Sequence, residues 1–370
     1  MRRLLIFLSL LWSLPACTQV SGLRFIDDYV IPYKFSYAGT TVGGLSGIDY
    51  DPVSQRYYVI SDDRSARNPV RFYTVNIHFT AEKIDTVKFE GVQFLLQADG
   101  TPFPELESRK RVTPDPESIR FHTPSGSLYW SSEGDRNLDV TPPLTIQPAI
   151  FVHARDGKYT SSLQLPENLK ITTTENGPRQ NGVLEGLGFT PDFKTLWAAL
   201  EEPRYEDGPR ADLSPGANWI RLYAFDVTSQ KCVRQYAYGL DPVAHPSLIP
   251  GTFKVNGVSE ILVLDEQRLL VMERSFSTGR LACTVRIFLV DLREAEDVSA
   301  NPSLAQKPPV RPAVKKLLLN TDDLGIYIDN VEGITFGPNL PNGHRSLVLV
   351  TDDNFLVHEK TQVLLFEVIP

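Results

Sequence analysis

The stretch NVEGITFGP, Asn330 to Pro338, sets a glutamate just before a short apolar run. That run reads as a buried strand, and a charge at its mouth is costly unless something meets it. Near-copies occur as DPESIRF from Asp115, VLEGLGFTP from Val183, GVSEILVL from Gly257 and GLSGIDYDP from Gly44. Aligned on the residue before the first apolar pair, they place Ser46, Glu117, Glu185, Glu260 and Glu332 in one column, with steps of 71, 68, 75 and 72 residues. Even spacing over the whole chain is the mark of a repeat architecture.

Each copy continues in the same way. A turn rich in Pro, Asp, Ser and Gly follows the first strand, as in DPVSQ, TPSGS and TPDFK. A second strand then ends in charged residues: RYYVISDD to Asp63, SLYWSSE to Glu133, TLWAALEE to Glu202, LLVMER to Arg274, SLVLVTDD to Asp353. Third and fourth apolar runs close most copies. Alternation with β-branched and aromatic residues argues for strands. The 28 prolines and 24 glycines argue against long helices. Four antiparallel strands repeated about an axis describe a β-propeller. The expected fold is all-β, with five four-stranded blades and six as the alternative if the long QADGTPFPELESRKRVTPDP segment hides a degenerate blade. The last copy has only three strands, so LRFIDDYVIPYKFSY near the N-terminus is expected to close the ring and cover its edges.

The chain opens on MRRLLIFLSLLWSLPAC: two arginines, an apolar run, then small residues. That is the pattern of a secretory signal, and the run is short of the roughly 20 residues that span a bilayer. Residues 1–16 are therefore read as a signal peptide and 17–370 as the propeller. LPAC resembles a bacterial lipoprotein box, with Cys17 as the lipidated residue, and simple secretion is the alternative. Localisation is expected in the periplasm or cell envelope. Cys232 and Cys283 remain; in an oxidising compartment they read equally as a disulfide or as two separate thiols. The formal net charge is −8 and no basic block stands out, which speaks against nucleic acid as a partner.

Two acid positions recur. The first begins the inner strand, at Glu117, Glu185, Glu260 and Glu332, with Ser46 as the exception. The second ends the next strand, at Asp62, Glu133, Glu201, Glu273 and Asp352. A hairpin brings both positions to one rim, and ring symmetry gathers the rims around one channel mouth. Arg64, Arg136, Arg204 and Arg274 follow the second acid, and Asn354 replaces the arginine in the fifth copy. Converging carboxylates repel, so protonation, arginine pairing or a cation must offset them. Carboxylate oxygens suit hard cations such as Ca²⁺. The candidate metal ligands are Asp62, Glu117, Glu185, Glu260 and Glu332, and the candidate phosphate binders are Arg64, Arg136, Arg204 and Arg274. For any single one of these residues a structural clasp between blades is the better reading, and it is the ensemble that points to a site. No nucleophile elbow, zinc-binding helix or nucleotide loop is present in the sequence. Gly43, Gly44 and Gly47 are expected to permit close backbone approach at the channel.

The motifs GGLSGIDYDPVSQRYYVISDDRS, PDPESIRF with LYWSSEGDR, EGLGFTPDFKTLWAALEEP, and NVEGITFGP with LVLVTDDNF resemble the phytase-like family described as esterase-like activity of phytase. The resemblance runs from about Gly43 to the C-terminus. It implies a secreted bacterial propeller. The general architecture is shared with calcium-dependent propeller phytases, whose mouth also combines acidic ligands with basic phosphate binders.

Two functions follow as expectations. One is an extracytoplasmic phosphoesterase or esterase-like hydrolase with Ca²⁺ at the acidic mouth. The other is a non-enzymatic binding or scaffolding propeller of the envelope. The expected partner is a small phosphate ester, with membrane contact only through a lipid anchor and a monomeric chain.

Overall fold

The computed structural model describes residues 20–106 and 113–370. Residues 1–16, expected to be a signal peptide, and Cys17 lie outside the described residues. Five four-stranded antiparallel sheets make up the fold. Blade I contains Leu45–Asp51, Arg56–Ser61, Arg71–Phe79 and Ile84–Phe94; blade II contains Pro116–His122, Ser127–Ser132, Ala149–Ala154 and Tyr159–Ser162. Blade III contains Leu184–Phe189, Thr195–Leu200, Trp219–Asp226 and Lys231–Gly239; blade IV contains Lys254–Val263, Arg268–Ser277, Thr284–Asp291 and Val314–Asn320.

Blade V takes Asn330–Asn339, Arg345–Asp352 and Thr361–Ile369 from the C-terminus and its outermost strand, Gly22–Ile31, from the N-terminus. The two ends pair antiparallel from Gly22 with Ile369 to Ile31 with Thr361. The chain therefore closes its own ring, as the missing fourth strand of the last copy requires. There are five blades. The segment expected to hide a sixth forms, where described, only an isolated bridge between Leu96 and Pro102.

The first strand of each blade is the innermost, and neighbouring inner strands pack in order around the axis. Tight approach requires small residues there. A Cβ on Gly47 would meet the Glu117 carbonyl and the Ile119 nitrogen of the next blade at 2.7 Å. Apolar side chains fill the gaps between blades: Ile60, Phe72, Ile119 and Trp130 between I and II, Ile48, Val59, Val348 and Val350 between V and I. Met272, Ile287, Ile334 and Leu349 do the same between IV and V. Each such side chain stabilises the ring by about 1.5–3 kcal/mol relative to exposure. Among the described residues, no helix is long and apolar enough to cross a membrane. Cys232 and Cys283 are separate thiols, the first on the outermost strand of blade III and the second buried beside the channel mouth.

Candidate metal centre at the channel mouth

Every inner strand carries one extra residue near its start. The ladder to the second strand slips between Leu45 and Gly47, Pro116 and Ile119, Leu184 and Gly186, Val258 and Glu260, and Val331 and Gly333. Such a bulge leaves one residue unpaired and re-aims its side chain. The residues in this place are Ser46, Glu117, Glu185, Ser259 and Glu332.

This corrects the sequence alignment in blade IV. Glu260 is not the counterpart of Glu185 and Glu332; Ser259 is. Every blade has the bulge at this place, so the bulge does not shift the column; matching Glu260 to the other glutamates did, whereas Ile261 lines up with Ile48, Leu187 and Ile334 and puts Ser259 in the column. The second acid position slips likewise. Glu273 pairs with Val258 inside the ladder, as Ser61 pairs with Leu45 and Leu200 with Leu184. The next residue along the second strand, which is Asp62, Glu133, Glu201 and Asp352 in the other blades, is Arg274 in blade IV. One blade thus contributes a cation where four contribute an acid.

The displaced acids do other work. Glu260 turns into the central channel, where its carboxylate accepts hydrogen bonds from Ser118 Oγ (2.6 Å) and from the backbone N–H of Leu187 (2.8 Å). It also pairs with Arg120 at 2.8 Å. Burial pushes its pKa up to about 7, against the pull of Arg120. Arg120 in turn donates to the carbonyls of Ile48, Leu187 and Ile261, on three different blades. Together they plug the channel. Glu273 accepts from Tyr238 Oη, Asn256 Nδ2 and Lys315 Nζ, each at 2.6 Å.

Of the four candidate arginines, two reach the mouth. Arg64 Nε lies 3.0 Å from Asp115, and Arg274 Nη2 lies 2.9 Å from Glu201 and 3.5 Å from Glu332. Arg136 and Arg204 do not. Arg136 donates to the carbonyls of Thr172, Asn176 and Pro178 and fixes that loop. Arg204 pairs with Asp207 at 2.7 Å and donates to the carbonyls of Asn168 and Pro302. Both are buried clasps, like Arg71 on Asp63 and Arg221 on Asp207.

The mouth is a cavity of about 480 Å³ lined by Asp62, Asp115, Glu117, Glu133, Glu185, Glu332 and Asp352, with Arg64 and Arg274. Asp115 escaped the sequence reading because it stands outside the repeated column; its only signal was its place two residues before Glu117. Within this cavity carboxylate oxygens of Asp62, Asp115 and Glu117 come within 4.8 Å of one another, and so do those of Glu117, Glu133 and Glu185. Glu117 belongs to both groups. Oxygens at that mutual spacing can ligate one cation at the roughly 2.3–2.6 Å that Ca²⁺ prefers.

The electrostatics favour such an occupant. Burial, and then repulsion from Asp115 and Asp352, holds the Asp62 pKa well above the usual carboxylate range. Burial followed by Glu185 and Asp62 does the same to Glu117; burial followed by Glu133 and Glu201 does so to Glu185. Glu133 is raised by burial and Asp115, Asp352 by burial and Glu332. Buried Asp62 Oδ1 has no hydrogen-bond partner among the described residues. Protons or a bound cation must therefore neutralise the group, because two guanidiniums are too few. Ser46, by contrast, is committed: its Oγ donates to the Glu117 carbonyl at 2.7 Å.

The family model described as "Phytase-like: Esterase-like activity of phytase" matches residues 40–355. No curated protein sequence matches the chain. Among solved structures, an endo-arabinase from Bacteroides thetaiotaomicron is similar at 13% identity, covering 92% of this chain and 97% of its own, with a TM-score of 0.46. The periplasmic gluconolactonase PpgL of Pseudomonas aeruginosa is similar at 10% identity, covering 96% and 97%, with a TM-score of 0.38. A Dyadobacter fermentans protein of unknown function is similar at 10% identity, covering 95% and 100%, with a TM-score of 0.41. These three likenesses are too distant to carry an argument about chemistry.

Proposed function

The chain belongs to the phytase-like family, and from that premise and the charge of the mouth we propose an extracytoplasmic hydrolase of phosphate esters or related esters. One observation carries the reading: a single cavity of about 480 Å³ gathers two overlapping carboxylate triplets beside two arginines. The residues that would hold a divalent cation, with Ca²⁺ as the first candidate, are Asp62, Asp115, Glu117, Glu133 and Glu185. A bound cation of this kind supplies Lewis acidity toward a phosphoryl or acyl oxygen and lowers the pKa of a coordinated water. Arg64 and Arg274 line the cavity and in this reading orient a substrate oxyanion. Glu201 and Glu332 hold Arg274 in place. Export supports the reading, because calcium is abundant outside the cytoplasm. The basic and apolar first residues argue for export and Cys17 for a lipid anchor.

The test is turnover of p-nitrophenyl phosphate and p-nitrophenyl acetate by the purified protein, with Ca²⁺ and with chelator. Calcium-dependent hydrolysis that falls at least about a hundredfold in Glu117→Gln is expected. No turnover with any divalent ion on either substrate overturns the hydrolase.

A second reading has its own observation. Mouth acids also tie blades together: Glu133 accepts from the Val183 N–H, and Arg274 joins Glu201 to Glu332. A propeller that uses calcium only to brace this ring would be a binding or scaffolding protein. Calcium-dependent thermal stabilisation without turnover identifies it.

A further inference from the structure

The far end of the channel holds a second, different cavity. About 560 Å³ in volume, it is lined by residues from all five blades, including Asp49, Phe121, Phe189, Thr335 and Arg345. The Arg120–Glu260 plug separates it from the acidic mouth. Its walls are aromatic. Tyr50, Phe121, Phe189, Phe193 and Phe336 all line it, and Phe189 and Phe193 meet at 5.8 Å between centroids, tilted by 50°.

The polar groups at the floor are satisfied. Asp49 accepts from the Phe121 N–H (2.8 Å) and Thr335 Oγ1 (3.0 Å) and lies 3.8 Å from Arg120. The rim is not satisfied. Arg345 is half-buried with its guanidinium 3.4 Å from the centre of the Phe336 ring. Among the described residues, no carboxylate lies within ion-pair distance of it and no hydrogen bond takes up its side-chain donors. A cation partly withdrawn from water and without a counterion gains from an anion that completes it. Stacking on Phe336 leaves the edge of the fork free, and that edge suits a planar carboxylate.

We propose that this cavity is a binding site for a small planar organic anion, its ring against Phe121, Phe189 and Phe193 and its carboxylate on Arg345. A planar body suits walls of this kind, since aromatic faces prefer offset or edge contacts with a flat partner. Acetate alone gains too little area, and an uncharged ring leaves Arg345 unpaired. The site is independent of the acidic mouth and of any hydrolase activity.

The experiment is isothermal titration of the purified protein in EDTA with 4-hydroxybenzoate, phenol and acetate. Saturable binding of 4-hydroxybenzoate is expected, with phenol and acetate each weaker by about tenfold or more, as the loss of one charged hydrogen bond or of the ring contacts implies. Arg345→Gln and Phe193→Ala should each weaken it by about tenfold, while Glu185→Gln at the other mouth leaves it unchanged. Two separate variants guard against one that fails to fold. Binding that survives both, binding lost in Glu185→Gln, or the absence of saturable binding overturns the proposal.

Discussion

Arg274 holds Glu201 at 2.9 Å across the boundary between blades III and IV, from the ladder position where the other four blades place an acid. Burial works against its charge, and Glu201 with Glu332 more than offsets that, so its pKa lies above the usual range. Replacing it removes the central cation from a ring of carboxylates. Arg274→Gln should destabilise the calcium-free protein by about 3 kcal/mol at pH 8, the usual scale for breaking a buried pair on one side. Urea unfolding measures this. A loss below about 0.5 kcal/mol would mean that the acids neutralise themselves by protonation.

Glu117 is the one residue common to both carboxylate triplets. Glu117→Gln should therefore weaken calcium binding by about a hundredfold or more, or reduce its stoichiometry, whereas Glu273→Gln, whose carboxylate is held by Tyr238, Asn256 and Lys315, should leave calcium affinity within about threefold. Calorimetric titration of both variants separates a shared ligand from a general effect of lost negative charge. Equal losses would sink the assignment of Glu117.

How much of this was legible in the sequence follows from what periodicity records. The repeated apolar strands and the missing fourth strand of the last copy were enough for five blades and for closure by Gly22–Ile31, because burial and edge pairing act directly on residue type. The gathering of Glu117, Glu185 and Glu332 at one mouth was legible for the same reason. The bulge was not. In blade IV a glutamate one place along drew the match to itself, and the ladder shows that Ser259 and Arg274 occupy the rim while Glu260 turns inward. Arg136 and Arg204 also follow acids in the chain, but the loops they clasp, around Thr172 and Pro302, arrive from far along it.

The channel plug gives a prediction that separates losing one partner of a buried pair from losing both. Arg120→Met leaves Glu260 buried without its cation and strips three carbonyls of their donor. That should cost about 3–5 kcal/mol, whereas Arg120→Met with Glu260→Leu, which removes both charges together, should recover a large part of it. A double-mutant cycle by urea unfolding tests this. Calcium affinity should stay within about threefold in the double variant, since neither residue lines the acidic cavity. Strict additivity would show that the two do not act as a pair.

The last prediction concerns pH. Burial pushes Glu332 up to about 7, against the pull of Arg274, and Glu202 up to about 8, with repulsion from Glu201 next in size. Asp62, Glu117, Glu133, Glu185 and Asp352 are raised as well. A carboxyl whose folded pKa exceeds its unfolded value binds its proton more tightly in the native state. Its contribution to stability is fully present below the unfolded value, near pH 4, and is lost as pH rises through the folded value. In chelator, the unfolding temperature should therefore fall between pH 5 and pH 8, the reverse of a protein whose carboxylates are salt-bridged. Calcium competes with protons for the same oxygens, so its stabilising effect should be small at pH 5 and large at pH 8. Scanning calorimetry at both pH values, with and without calcium, measures the four unfolding temperatures. Stability in chelator that rises toward pH 8 means the mouth carboxylates are not held protonated by burial and mutual repulsion, and equal stabilisation by calcium at both pH values means they are not its ligands.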